Sequence, residues 1–137
     1  MRTAVIIGRF QVPYLHLGHI CLISHALQNY DKVIILLGTL PDNKIDDKNP
    51  FDFRHRFKCI TDVFNPNRIG VTTLVDNPGN DKEWSDQIDE ILVGYDDIVL
   101  LHSRDSFKDH YMGIHPTVEI PEVPGYSGTK LREQTTN

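Results

Sequence analysis

The chain has 137 residues, of which 39% are hydrophobic and 24% charged, with a formal net charge of −5. That length holds one domain with a sizeable core and excludes two. The acidic balance excludes nucleic-acid binding by bulk electrostatics, and apolar runs of only strand length exclude a membrane span, so a cytoplasmic protein is expected.

Residues 1–137 are therefore read as a single domain, taken here in chain order. Ala4-Val5-Ile6-Ile7 is short and β-branched, which predicts a first buried strand over Thr3–Gly8. A helix is predicted over His19–Tyr30, with Ile20, Ile23 and Leu27 on one face. Lys32–Gly38 is a continuous apolar run, as expected for a strand covered on both sides. A polar loop over Thr39–Pro50 precedes a second helix, Phe53–Phe64, striped by Phe53, Phe57, Ile60 and Phe64. Ile69–Val75 reads as a third strand, 76–81 as a turn-rich loop, and Lys82–Val93 as a third helix carrying Trp84 and Ile88. Asp97–Leu101 and Thr117–Ile120 complete the strands, and Ser127 is placed to cap a last helix. Strands alternating with helices predict an α/β fold, a doubly wound parallel sheet of about five strands.

The chemistry is concentrated after the first strand, in Gly8-Arg9-Phe10-Gln11-Val12-Pro13-Tyr14-Leu15-His16-Leu17-Gly18-His19. The end of a parallel strand entering a helix presents backbone N–H groups and the positive end of a helix dipole, a setting for phosphate. His16 and His19, three residues apart on a first helical turn, face the same way there. A second such element stands near the C-terminus, where Ser127, Gly128 and Thr129 offer hydroxyls and amides and Lys130 and Arg132 bring positive charge. The seven histidines do not suggest a metal centre, because only His16 and His19 are close in sequence and no carboxylate or thiol completes a set. Cys21 and Cys59 lack metal-ligand spacing and are read as free buried thiols.

The first element is an H-x-G-H signature. Preceded by G-R-F-Q and followed far downstream by Tyr126-Ser127-Gly128-Thr129-Lys130-Leu131-Arg132, it makes the chain resemble the H-x-G-H nucleotidyltransferase superfamily, which has a Rossmann-like fold. Asn49-Pro50-Phe51 with Arg56, and Asn80-Asp81 with Trp84, narrow the resemblance. They point to nicotinamide-nucleotide adenylyltransferases of the archaeal type and to the adenylyltransferase half of bifunctional adenylyltransferase–Nudix proteins. The resemblance implies transfer of AMP from ATP to nicotinamide mononucleotide, with Mg2+ accompanying ATP. Carried over residue by residue, it implies catalytic roles for His16, His19 and Arg132. It puts Gly8, Arg9, Phe10, Gln11 and Gly18 on ATP from one side, and Ser127, Thr129 and Lys130 from the other. It puts Arg56, Asn80 and Trp84 on the mononucleotide, leaves the metal ligands unknown, and leaves homo-oligomerisation open.

Three departures from the family pattern stand out. Four residues separate Gln11 from His16 where the family has two; Asp52 and His55 replace a Thr and a Glu; and the chain ends five residues after Arg132. The alternatives are a related enzyme with another acceptor, such as phosphopantetheine or a phosphorylated alcohol, and a nucleotide-binding module without turnover.

Overall fold

A computed structural model describes residues 1–103 and 107–120. Its centre is a sheet of five parallel strands, β1 (Thr3–Gly8), β2 (Lys32–Thr39), β3 (Ile69–Val75), β4 (Ile98–His102) and β5 (Thr117–Glu119), in the order β3-β2-β1-β4-β5. The helices are α1 (Leu17–Asn29), α2 (Phe53–Thr61) and α3 (Asp81–Ile91). The doubly wound α/β reading holds.

The sheet has two apolar faces because the helices fall on both sides. Ala4, Ile6, Val33, Ile35 and Leu37 pack with Ile23 of α1 and Ile60 of α2, while Val5, Ile34, Leu36 and Leu100 pack with Ile88 and Leu92 at α3. Five consecutive β2 residues, Val33 to Leu37, are buried, which explains why this strand reads as an unbroken apolar run instead of an alternating one. Strand order turns back between β1 and β4, so the crevice outside the carboxyl ends of these strands is where such sheets take ligands.

Several boundaries differ from expectation by one to three residues, and four of them have a local reason. Helix α1 begins at Leu17, two residues early, because the His16 ring itself caps it. Helix α2 stops at Thr61, three residues short of Phe64: the Val63 and Phe64 amides both return to the Ile60 carbonyl, and Pro66 then blocks helical continuation. Helix α3 ends at Ile91, with Gly94 at φ 95° closing the turn beyond it. Strand β4 starts one residue late because Asp97 sits at φ 53°, outside strand geometry. Cys21 and Cys59 are free as expected, but half-buried instead of buried. The helix expected from Ser127 lies outside the described residues. Among those residues no helix is long and apolar enough to cross a membrane.

Candidate nucleotide-phosphate site

Every described candidate residue gathers at the carboxyl edge of the sheet. The chain leaves β1 at Gly8 and turns at once, with Phe10 at φ 51°. Glycine is required at position 8 because the Phe10 ring folds back over it: a Cβ there would stand 2.9 Å from that ring. The same ring reaches His19, 4.6 Å centroid to centroid, and His19 stacks on His16 at 3.7 Å. The three-residue spacing thus produces a layered Phe10–His19–His16 stack.

His16 does more than face its neighbour. Its Nδ1 accepts from the amides of Gly18 at 3.0 Å and His19 at 3.4 Å, a capping role usually filled by Ser, Thr, Asp or Asn. A neutral imidazole that accepts at Nδ1 carries its proton on Nε2, so the cap fixes the tautomer. It also changes the expected electrostatics. The Gly18 and His19 amides, at a helix start expected to be open toward an anion, are engaged by this ring.

Arg9 is the nearest cation. Its Nη1 and Nη2 donate to the two Asp76 carboxylate oxygens at 2.9 and 2.7 Å, and its Nε donates to Asn49 Oδ1 at 2.7 Å. The paired carboxylate raises the Arg9 pKa above its ordinary value, outweighing the effect of burial. Gln11 exchanges two bonds with the main chain of Phe51, donating at 3.0 Å and accepting at 2.8 Å, so its amide ties the loop after β1 to the segment entering α2.

The longer 12–15 loop is held against α2. Val12 and Leu15 are buried, His55 Nε2 lies 3.2 Å from the Val12 carbonyl, and the Cys59 thiol donates to the Pro13 carbonyl at 3.5 Å. Burial pushes the Cys59 pKa up, which favours the thiol that makes this contact.

Arg56 stands differently from expectation. It is 2% exposed, and its guanidinium turns to the protein: Nη1 donates to the Gly38 and Arg9 carbonyls at 2.7 and 3.0 Å, Nη2 to Thr39 Oγ1 at 3.3 Å, and Nε to the Asp52 carbonyl at 3.2 Å. Burial, and then the Arg9 cation, lower its pKa. It lines a cavity of about 280 Å³ together with Gln11, Asn49, Phe51 and Lys44.

On the other side of Arg9 lies a cavity of about 300 Å³ lined by Asp76, Pro78, Asp81, Trp84, Phe107 and His110. Trp84 is half-buried and meets the Phe107 ring at 6.3 Å. Asn80 caps α3 by accepting from the Glu83 amide at 3.0 Å, which commits its carbonyl oxygen to the helix. His110 faces Asp81 at 3.3 Å across the rim. Asp76, Phe107 and His110 were not singled out from sequence; Asp76 had a usable signal, its place directly after β3.

Tyr111, which follows His110, ties this segment to α3: its hydroxyl donates to Asp89 Oδ1 at 2.5 Å and accepts from the His115 amide at 3.1 Å. Burial, with the Asp89 bond second, pushes the Tyr111 pKa from 10.0 up to about 12. A raised phenol pKa stabilises the fold below the unfolded value, and that contribution is lost as pH rises from 10 towards 12. The melting-temperature gap between wild type and Tyr111→Phe should therefore narrow on going from about pH 8 to about pH 11.

Ser127, Thr129, Lys130 and Arg132 lie outside the described residues. Among the described residues no three His, Cys, Asp or Glu side chains converge as a metal cage.

The all-parallel sheet thus brings stacked histidines, a clamped arginine and an aromatic cavity to one carboxyl edge of an α/β protein. The chain belongs to the cytidylyltransferase-like family, which it matches over residues 5–134. It is 38% identical, over 94% of its length, to the nicotinamide/nicotinic acid mononucleotide adenylyltransferase of Acinetobacter baylyi, of which it spans 72%. It is 31% identical over 67% of its length to the nicotinamide-nucleotide adenylyltransferase of Caldivirga maquilingensis, spanning 52% of that protein. Among solved structures it resembles a bifunctional NMN adenylyltransferase/ADP-ribose pyrophosphatase from Francisella tularensis, complexed with AMP and a manganese ion. The TM-score is 0.77 and the identity 25%, over 97% of this chain and 41% of that one.

Proposed function

We propose that the chain transfers AMP from ATP to nicotinamide mononucleotide, giving NAD and pyrophosphate. The observation that carries the reading is one sheet edge with two halves: Arg9 and the His16–His19 stack on one, and the Trp84 cavity on the other. The 38% identity to the Acinetobacter enzyme supports the choice of acceptor.

The chemistry needs no nucleophilic side chain. An oxygen of the mononucleotide 5′-phosphate attacks the α-phosphorus of ATP, the bond from that phosphorus to the bridging α–β oxygen breaks, and pyrophosphate leaves with the electron pair. Two polyanions must meet, so the protein's work is to place them and to balance charge as it builds. In this reading Arg9, His16 and His19 contact the triphosphate, with His19 at the α-phosphate, and Arg132 holds the departing β and γ phosphates. Gly8 and Phe10 shape the turn that presents them. Trp84 gives the pyridine ring a flat face. Arg56, turned inward, supports the phosphate site from beneath. Mg2+ comes as part of the MgATP substrate.

The test is pyrophosphate release from MgATP with nicotinamide mononucleotide, nicotinate mononucleotide and phosphopantetheine offered in parallel. Turnover with a pyridine mononucleotide supports the reading. Turnover with phosphopantetheine alone replaces the acceptor, and ATP binding without turnover favours a binding module. Within an active enzyme, Trp84→Ala should raise KM for the mononucleotide about tenfold or more while leaving KM for ATP within about threefold, since stacking on an aromatic face is worth about 1–3 kcal/mol. Equal changes in both constants would remove Trp84 from the acceptor site.

A further inference from the structure

We propose that Asp76 is a positioning residue that acts through Arg9, holding its guanidinium at the boundary between the phosphate site and the Trp84 cavity. The inference rests on the reading of Arg9 as a phosphate ligand. An arginine side chain is long and rotamer-rich, and left alone it samples many positions. Here three elements fix it. Asp76, at the carboxyl end of β3, takes one N–H from each terminal nitrogen, at 2.9 and 2.7 Å. Asn49, in the loop after β2, takes Nε–H at 2.7 Å. Gly38 in β2 lies directly under the group: a Cβ there would stand 3.0 Å from Nη1.

The count of donors gives this clamp its function. A guanidinium has five N–H groups, and three are engaged here. Counting partners among the described residues, two remain, one on each terminal nitrogen, on a side chain that is 41% exposed. Arg9 therefore reaches solvent with its plane already set and with donors left for an anion, which is what charge stabilisation in a transition state requires. Asp76 also lines the Trp84 cavity, so one carboxylate ties the position of the phosphate-site cation to the wall of the neighbouring pocket. The opposing effect is that a carboxylate beside Arg9 weakens its field at a phosphate. Positioning prevails if loss of the carboxylate slows the reaction, and the field effect prevails if it speeds it.

A double-mutant cycle on the full chain decides this, using Asp76→Ala, Arg9→Ala and the pair, with kcat and KM from pyrophosphate release and MgATP affinity from calorimetry. Asp76→Ala should lower kcat about 30-fold in the wild-type background and less than about threefold once Arg9 is gone, because misplacing a group by about 1 Å can cost on the order of 100-fold. Asp76→Asn, which keeps the shape and one acceptor, should recover part of the loss. It also serves as the reporter should the alanine variant melt early. The same factor in both backgrounds, a rise in kcat, or no effect of Asp76→Ala overturns the proposal. An Arg9→Ala enzyme with wild-type kcat and MgATP affinity overturns it together with the phosphate role of Arg9. If the wild type binds MgATP but turns over no acceptor, the proposed reaction fails instead. The cycle is then read on affinity, with an expected tenfold weakening by Asp76→Ala that vanishes without Arg9.

Discussion

Replacing His19 by alanine should lower kcat about 100- to 1,000-fold while shifting the melting temperature by only a few degrees. The magnitude is that of removing one preorganised donor from developing negative charge in a site where the group is already placed. Preorganisation is visible in the stack: the ring is held between Phe10 and His16 at centroid distances of 4.6 and 3.7 Å. The small stability cost follows from the same geometry. His19 is only half-buried, and the α1 cap is made by His16 Nδ1 to backbone amides that alanine retains. His16→Ala should behave differently, losing the cap as well, at about 1 kcal/mol for a cap of ordinary strength. The check is kcat from pyrophosphate release beside thermal unfolding for both variants. A His19→Ala enzyme within threefold of wild type would remove His19 from the α-phosphate.

The parts of this arrangement that depend on neighbours in sequence were legible, and the parts made across the sheet were not. Strands β1 and β3 cover the ranges the sequence predicts, Thr3–Gly8 and Ile69–Val75, with Gly8 closing one and Asp76 standing just past the other. The His16–His19 contact follows from a three-residue spacing and needs no tertiary knowledge. By contrast, Asp76 meets Arg9 across 67 positions, and Arg56 meets Gly38 across 18 and Arg9 across 47. No local pattern encodes those pairs; they exist because parallel register brings the ends of β1, β2 and β3 side by side. The capping histidine at position 16 was hidden for another reason. Imidazole is an uncommon cap, and the usual signals of a helix start are hydroxyls and carboxamides.

Arg56 is where motif and geometry pull apart, and one substitution separates them. If the side chain held the mononucleotide phosphate directly, Arg56→Met would raise KM for that substrate and leave stability nearly unchanged. The geometry predicts the reverse order of effects. The guanidinium satisfies the Gly38, Arg9 and Asp52 carbonyls and the Thr39 hydroxyl, and Arg56 is 2% exposed. Each buried acceptor left without a donor costs about 1–3 kcal/mol, so a loss of about 3–5 kcal/mol is expected, partly offset by the cost of burying a cation that Met avoids. Arg56→Lys should recover only part, since an ammonium cannot reach acceptors arranged around a planar fork. Activity should fall as a consequence: the Arg9 carbonyl that Arg56 holds precedes Phe10 at φ 51°, and slackening that turn moves Phe10, His19 and Arg9 together. Urea unfolding of both variants beside KM for each substrate tests this. A destabilised protein with kcat reduced and both KM values little changed supports the inward role, whereas a stable protein with only the mononucleotide KM raised would return Arg56 to the substrate.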